Sequence, residues 1–157
     1  MGAPVMTQRT AAALRYFSEG NNCAQSVLMA YGDLAGLDAD RSALLAAGLG
    51  GGMGRLRETC GAFSAAVMLA GALDGRDGAA AHSRVSVYRR VQRMHDAFVA
   101  SCGSICCGTL LGRTREEPQP ESRTPAYYAS RPCARIILAA CRVLEDELAL
   151  SRSEHRL

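Results

Sequence analysis

The run GAFSAAVMLAGAL, Gly61 to Leu73, carries no charge over 13 residues and is bounded by Glu58 and Asp74. A bilayer crossing needs about 20 apolar residues, so this run predicts a helix buried inside a globular core. The rest of the chain must then supply apolar faces to cover it. The apolar share rests on Ala, Leu, Val and Met, with only 3 Phe, 5 Tyr and no Trp, a composition that favours closely packed helices over sheet. A length of 157 residues suits one domain. The expectation is a compact all-α, single-domain bundle of five to six helices over residues 1–157.

Local signals divide the chain further. Thr7 to Ser18 reads as a helix ended by Gly20, and Asn22 caps a second helix through Tyr31. Asp38 or Asp40 opens a third, which runs into the glycine-rich GLGGGMG at Gly48 to Gly54. A fourth helix spans Thr59 to Leu73, and a fifth spans Gly78 to Ala100 after the DGRDG turn. Cys102 to Gly112 reads as a loop with one helical turn, and residues 113–131 as a polar, proline-bearing surface loop. The last helix runs from Pro132 to Leu148, with a frayed SRSEHRL end.

Charge excludes several function classes. All 18 basic residues are Arg, so no Schiff base, P-loop lysine or lysine general base can form. The net charge of +3 is spread along the chain without a basic block or interleaved aromatics, which argues against nucleic-acid binding. The first residues lack the pattern of a signal peptide, so the expected address is cytoplasmic, without membrane insertion. Glu116 and Glu117, and Glu145 to Glu147, read as solvated surface. No serine sits in a nucleophile elbow.

Seven cysteines are many for a reducing compartment, yet none forms a CxxC pair. Their placement is more informative than their spacing. Cys23 follows Asn22, Cys60 follows Thr59, Cys106 and Cys107 follow Ser104, and Cys133 follows Pro132, so four helix starts carry cysteine. Unpaired N–H groups and the positive end of the helix dipole stabilise thiolates there, and Arg55 and Arg57 add positive potential near Cys60. Each of these cysteines also lies on an apolar stripe, where free cysteine is an ordinary core residue; Cys141, in mid-helix, reads as core alone. His95 shares a stripe with Tyr88, Val91, Phe98 and Cys102 and could reach a metal near Cys102 to Cys107, although a hydrogen-bonded core role is the commoner one. His82 and His155 read as solvent-exposed. The glycine run reads as a tight turn that lets helices approach Cys60, with an anion nest as the alternative.

With these pieces in order, the chain resembles the C_GCAxxG_C_C family of redox-active proteins. The resemblance rests on NCAQSVL, GLGGGMGRL, TCGAFSAA, GSICCGTLLG and CARIILAACRVLEDEL. It implies that Cys23, Cys60, Cys107 and Cys133 are the characteristic cysteines, with Cys102, Cys106 and Cys141 additional; matching GSI and LLG selects Cys107 over its neighbour Cys106. The family's CGAxxG reads CGAFSA here, with Ala65 in place of a glycine, which implies slightly looser helix packing. A similar cysteine-bearing region occurs in split-Soret cytochromes, but no CxxCH exists here, so covalent c-type haem is excluded. The expected function is redox: the four cysteines hold an iron-sulfur cluster or another soft metal such as zinc for electron transfer to an unidentified partner. The alternatives are metal-free thiol/disulfide chemistry and a non-catalytic helical accessory protein with core cysteines. A homodimer is compatible with the Ala-rich third and fourth helices.

Overall fold

The structure is a computed structural model, and it describes residues 6–74 and 84–154. Eight helices form among them: α1 (Gln8–Ser18), α2 (Cys23–Tyr31), α3 (Ala39–Ala46), α4 (Gly61–Asp74), α5 (Arg84–Cys102), α6 (Cys107–Leu111), α7 (Pro125–Ser130) and α8 (Cys133–Glu154). The all-α expectation holds, with no strand among the described residues and one isolated bridge between Thr59 and Cys106. None of these helices is long and apolar enough to cross a membrane.

The apolar run is the hub. Ala62, Ala65, Ala66 and Ala70 on α4 are fully buried, as are Leu69 and Leu73, and their small side chains let α2, α5 and α8 close on this helix. From α2 come Ala24, Val27, Leu28 and Tyr31, and from α8 Ile137, Ala140, Cys141, Leu144 and Leu148, an i, i+3, i+4 stripe. Ala65 itself has no exposed surface, so the methyl that replaces the family's glycine is absorbed into the core.

Caps place the helix starts as the sequence signals them. Thr7, Asn22 and Asp38 each accept a backbone N–H of the first turn, and Asn22 with Gln25 forms a full capping box. At Gly50–Met53 the chain makes a single tight turn in which Gly51 and Gly52 have φ of 65° and 66°, followed by Gly54 at 58°. Met53, Arg55 and Arg57 also lie in the left-handed region, an uncommon conformation for residues with a Cβ. A Cβ on Gly52 would lie 2.5 Å from that of Cys107 and 2.9 Å from the backbone of Glu58. The glycine turn is thus required by close approach, to Cys107 as well as to the residues flanking Cys60.

Several boundaries move. The fourth helix begins at Gly61, two residues later than expected, because Cys60 donates its backbone N–H to the Ile105 carbonyl at 2.7 Å while Cys107 donates to the Glu58 carbonyl at 2.7 Å. Within the segment expected as loop, Thr124 caps α7, whose Tyr128 packs edge-on to Phe17 with ring centroids 5.4 Å apart. The last helix continues through Glu154 and buries Ser151. The fifth helix's expected start, His82 and His155 lie outside the described residues.

The carboxylates are not merely solvated surface. Glu147 is buried and accepts from Arg90 at 2.7 Å and Arg93 at 2.9 Å, Glu145 accepts from Tyr31 at 2.8 Å, and Glu116 pairs with Arg55, Arg57 and Arg113. Apart from Arg113, three residues before Glu116, these arginine and tyrosine partners come from distant parts of the chain, so local sequence could not reveal most of the pairing.

Candidate functional site

Cys23, Cys60, Cys107 and Cys133 line one cavity of about 250 Å³. Each stands at the start of a different helix. Cys23 is the first residue of α2 and Cys133 the first of α8; Cys107 opens α6; Cys60 immediately precedes α4. The short bridge between Thr59 and Cys106 clamps two of these starts together, and Gly61 lets a third approach. A Cβ on Gly61 would lie 2.7 Å from the Leu49 carbonyl oxygen and 2.9 Å from Cys23 Sγ.

The four thiols are electrically unequal. Cys23 Sγ packs against Gly61, the residue that follows Cys60, so the two thiols influence each other. Interaction with Cys23, helped by the N–H groups of Phe63 and Ala62, holds the Cys60 thiol below its ordinary pKa, while interaction with Cys60 and burial drive Cys23 well above it. Of the pair, Cys60 is thus the more acidic thiol and Cys23 the less acidic one. Burial raises Cys107 despite the opposing pull of Arg57, whose Nη1 lies 3.6 Å from its sulfur. Burial also pushes Cys133 up to about 11.

Arg57 is itself nearly inaccessible, with 3% of its side chain exposed, and is paired with Glu116. Arg55, Arg123 and Arg131 line the same cavity with Glu121, Tyr127, Pro118 and Pro120. The segment after Gly112 thus closes one side of the site. Sequence reasoning treated it as solvated surface, yet Arg123 and Arg131 bracketing the Tyr127–Tyr128 pair was the available signal, since arginine planes stack on aromatic rings.

The remaining candidates fall elsewhere. Cys106, at the N-cap position of α6, does not line the cavity; its thiol donates to the Arg57 carbonyl at 3.5 Å, and the N–H and hydroxyl of Thr109 lower its pKa. Cys102 is partly buried against the core, which raises its pKa. His95 meets Asp96 at 3.0 Å and the edge of Phe63 at a centroid distance of 6.2 Å, away from the cavity. The buried face of α5 is Arg90, Met94 and Phe98, and Tyr88 is 60% exposed. Of the stripe on which His95 was expected, Phe98 is buried and Val91 and Cys102 pack against the core, while Tyr88 lies outside the packed face. Cys141 is fully buried.

Among the described residues, no three His, Cys, Asp or Glu side chains are grouped closely enough to hold a single metal ion. Four thiols around a cavity are nevertheless a soft donor set, suited in number to a polynuclear cluster whose sulfur ligands stand apart. Chemically, the site offers four sulfurs of unequal acidity and an arginine wall.

No curated protein and no solved structure matches this chain. The sequence profile of a family described as "Putative redox-active protein (C_GCAxxG_C_C)" matches residues 21–147, spanning all four cavity cysteines. The chain belongs to the C_GCAxxG_C_C family.

Proposed function

We propose that this protein is a thiol–disulfide redox protein in which Cys60 is the attacking thiolate and Cys23 the resolving thiol. The observation that carries this reading is the placement of Cys23 Sγ against Gly61, beside Cys60, on the wall of one cavity, and the opposed pKa shifts of the two thiols agree with it. A thiolate is the nucleophile in exchange, and a second thiol within contact releases the mixed disulfide. Both residues face the cavity, so a small disulfide can be brought to them. Mass spectrometry of the alkylated protein, before and after mild oxidation and again after reductant, tests the reading. The expected result is a reversible Cys23–Cys60 cross-link that is absent from the Cys60→Ser variant; no reversible cross-link at this pair overturns it.

A second reading is favoured by a different observation: two further cysteines, Cys107 and Cys133, line the same cavity, more than a dithiol couple requires. In this reading Cys23, Cys60, Cys107 and Cys133 would hold an iron-sulfur cluster, which would supply one-electron transfer. Arg57 beside Cys107 would offset part of the cluster's negative charge. Purification without oxygen, with assays for iron, acid-labile sulfide and visible charge-transfer absorption, discriminates the two. Stoichiometric iron and sulfide lost on Cys133→Ser would favour the cluster, and colourless, iron-free protein would remove it. A cytoplasmic setting suits either chemistry, because both need reduced cysteines.

A further inference from the structure

The cavity wall holds more positive charge than its own carboxylates neutralise. Arg55, Arg57, Arg113 and Arg131 share Glu116 and Glu121, and Arg123 forms no ion pair with either. Its Nη2 donates to the Asn21 carbonyl at 3.2 Å, and its plane lies 5.1 Å from the ring centre of Phe17 and 4.7 Å from that of Tyr127. Its Nη1 is buried without a hydrogen-bond partner. Arg131 is 6% exposed in its side chain, donates from Nη2 to Glu121 at 2.6 Å, stacks on the Tyr127 ring at 4.5 Å from its centre, and leaves Nε buried and unpaired. Buried donors of charged groups are almost always satisfied in native proteins, and three arginines of this cavity, Arg57, Arg123 and Arg131, each keep a buried nitrogen without a partner, so the wall carries positive charge that an anionic occupant would offset.

Size and lining restrict that anion. About 250 Å³ lies below the usual range of drug-sized ligand sites, roughly 300–1,000 Å³, so the occupant is a small molecule. Leu110, Leu111, Pro118 and Ile136 supply apolar surface beside the arginines. A guanidinium fork matches a carboxylate in geometry as well as charge.

We propose that the substrate of this cavity is a small disulfide bearing a carboxylate, which Arg123 and Arg131 hold while its S–S bond meets Cys60. This inference rests on the thiol–disulfide reading. The Cys60 thiolate attacks one substrate sulfur, forming a mixed disulfide and releasing one thiolate that takes a proton from water. Cys23 then attacks the Cys60 sulfur; its proton goes to the second departing thiolate. The protein is left with a Cys23–Cys60 disulfide, and the substrate has accepted two electrons and two protons as two thiols.

The test uses the reduced full chain with three probes: dithiodipropionate, its uncharged bis-amide, and the cationic cystamine. Cross-link formation at Cys23–Cys60 is followed by mass spectrometry, and each rate is divided by that of the same probe with a free small thiol. Dithiodipropionate should be favoured over the bis-amide by about tenfold or more, the scale of a charge-assisted hydrogen bond. That preference should collapse in Arg123→Gln and Arg131→Gln. Arg123→Lys keeps the cation without the fork and covers the case where the glutamine variant does not fold; it should lose most of the preference. Suberate, the unreactive isostere, should compete with dithiodipropionate and raise Tm, whereas suberamide should do neither. Equal normalised rates for all three probes, or a preference that survives in the Arg123 and Arg131 variants, overturns the carboxylate assignment and leaves the exchange chemistry standing. No cross-link with any probe overturns the exchange chemistry, and the substrate assignment with it.

Discussion

Gly52 and Gly54 stand two residues apart with nearly the same left-handed φ, 66° and 58°, yet only Gly52 faces other atoms. A methyl on Gly54 would meet nothing within 4 Å, so Gly54→Ala should cost only the backbone penalty, about 1–2 kcal/mol. Gly52→Ala adds a collision with the Cys107 Cβ and the Glu58 backbone, and neither can swing aside as a flexible side chain could. It should cost about 3 kcal/mol or more and displace Cys107 from the cavity. Urea denaturation of the two variants, with alkylation rates at Cys107, measures the difference; equal costs would mean that close approach plays no part. At this same scale, Cys141 was legible as core from its mid-helix position, while the roles of Arg123 and Arg131 were not. Their significance lies in which donors go unpaired, and that depends on neighbours from elsewhere in the chain.

At the scale of elements, the cysteine positions follow from caps. The Asn22 side chain accepts from Gln25 N–H at 2.8 Å, Gln25 answers to the Asn22 N–H at 3.0 Å, and Asn22 Nδ2 reaches the Ala47 carbonyl at 3.0 Å. One residue thereby ends α1's connection, starts α2 beneath Cys23 and ties the glycine turn to both. Asn22→Ala should lower stability by about 1 kcal/mol through loss of the cap, and Cys23 should alkylate faster as its helix start loosens. A variant with unchanged stability and unchanged Cys23 reactivity would count against this linkage. The caps of α1, α2 and α3 could be read locally because Thr7, Asn22 and Asp38 bond to N–H groups only three residues away. Helix α7 was missed for the opposite reason: six residues are too few to be stable alone, and packing of Tyr128 against Phe17 holds it in place.

At the scale of the molecule, buried thiols make stability depend on pH. Burial raises Cys133 to about 11 and Cys141 to about 12 from an ordinary 9.0, and it raises the Tyr31 phenol as well. For an acid whose folded pKa lies above its unfolded value, the unfolded chain loses its proton first. The stabilisation is therefore complete below about pH 8.5 and falls as pH rises towards 11 and 12. The urea midpoint of the reduced protein should decline above pH 9, and Cys141→Ala should flatten part of that slope while costing packing stability; a midpoint constant from pH 8 to 10.5, a window set by these same two thiols, would contradict it.

The sequence by itself determined that the chain is helical, where its main helices begin, and which four cysteines belong together, because helix periodicity, capping and family motifs are encoded within a few residues of one another. Only the tertiary structure decided that those four helix starts surround one cavity, that Cys23 packs beside Cys60, and that the segment after Gly112 adds Arg123 and Arg131 to the arginines of its wall. Those features depend on contacts between residues far apart in the chain, such as the 2.7 Å bond from Cys60 to Ile105 and the pairing of Arg57 with Glu116. Hydrogen bonds, burial and charge acquire their strength only when folding removes water from between such partners.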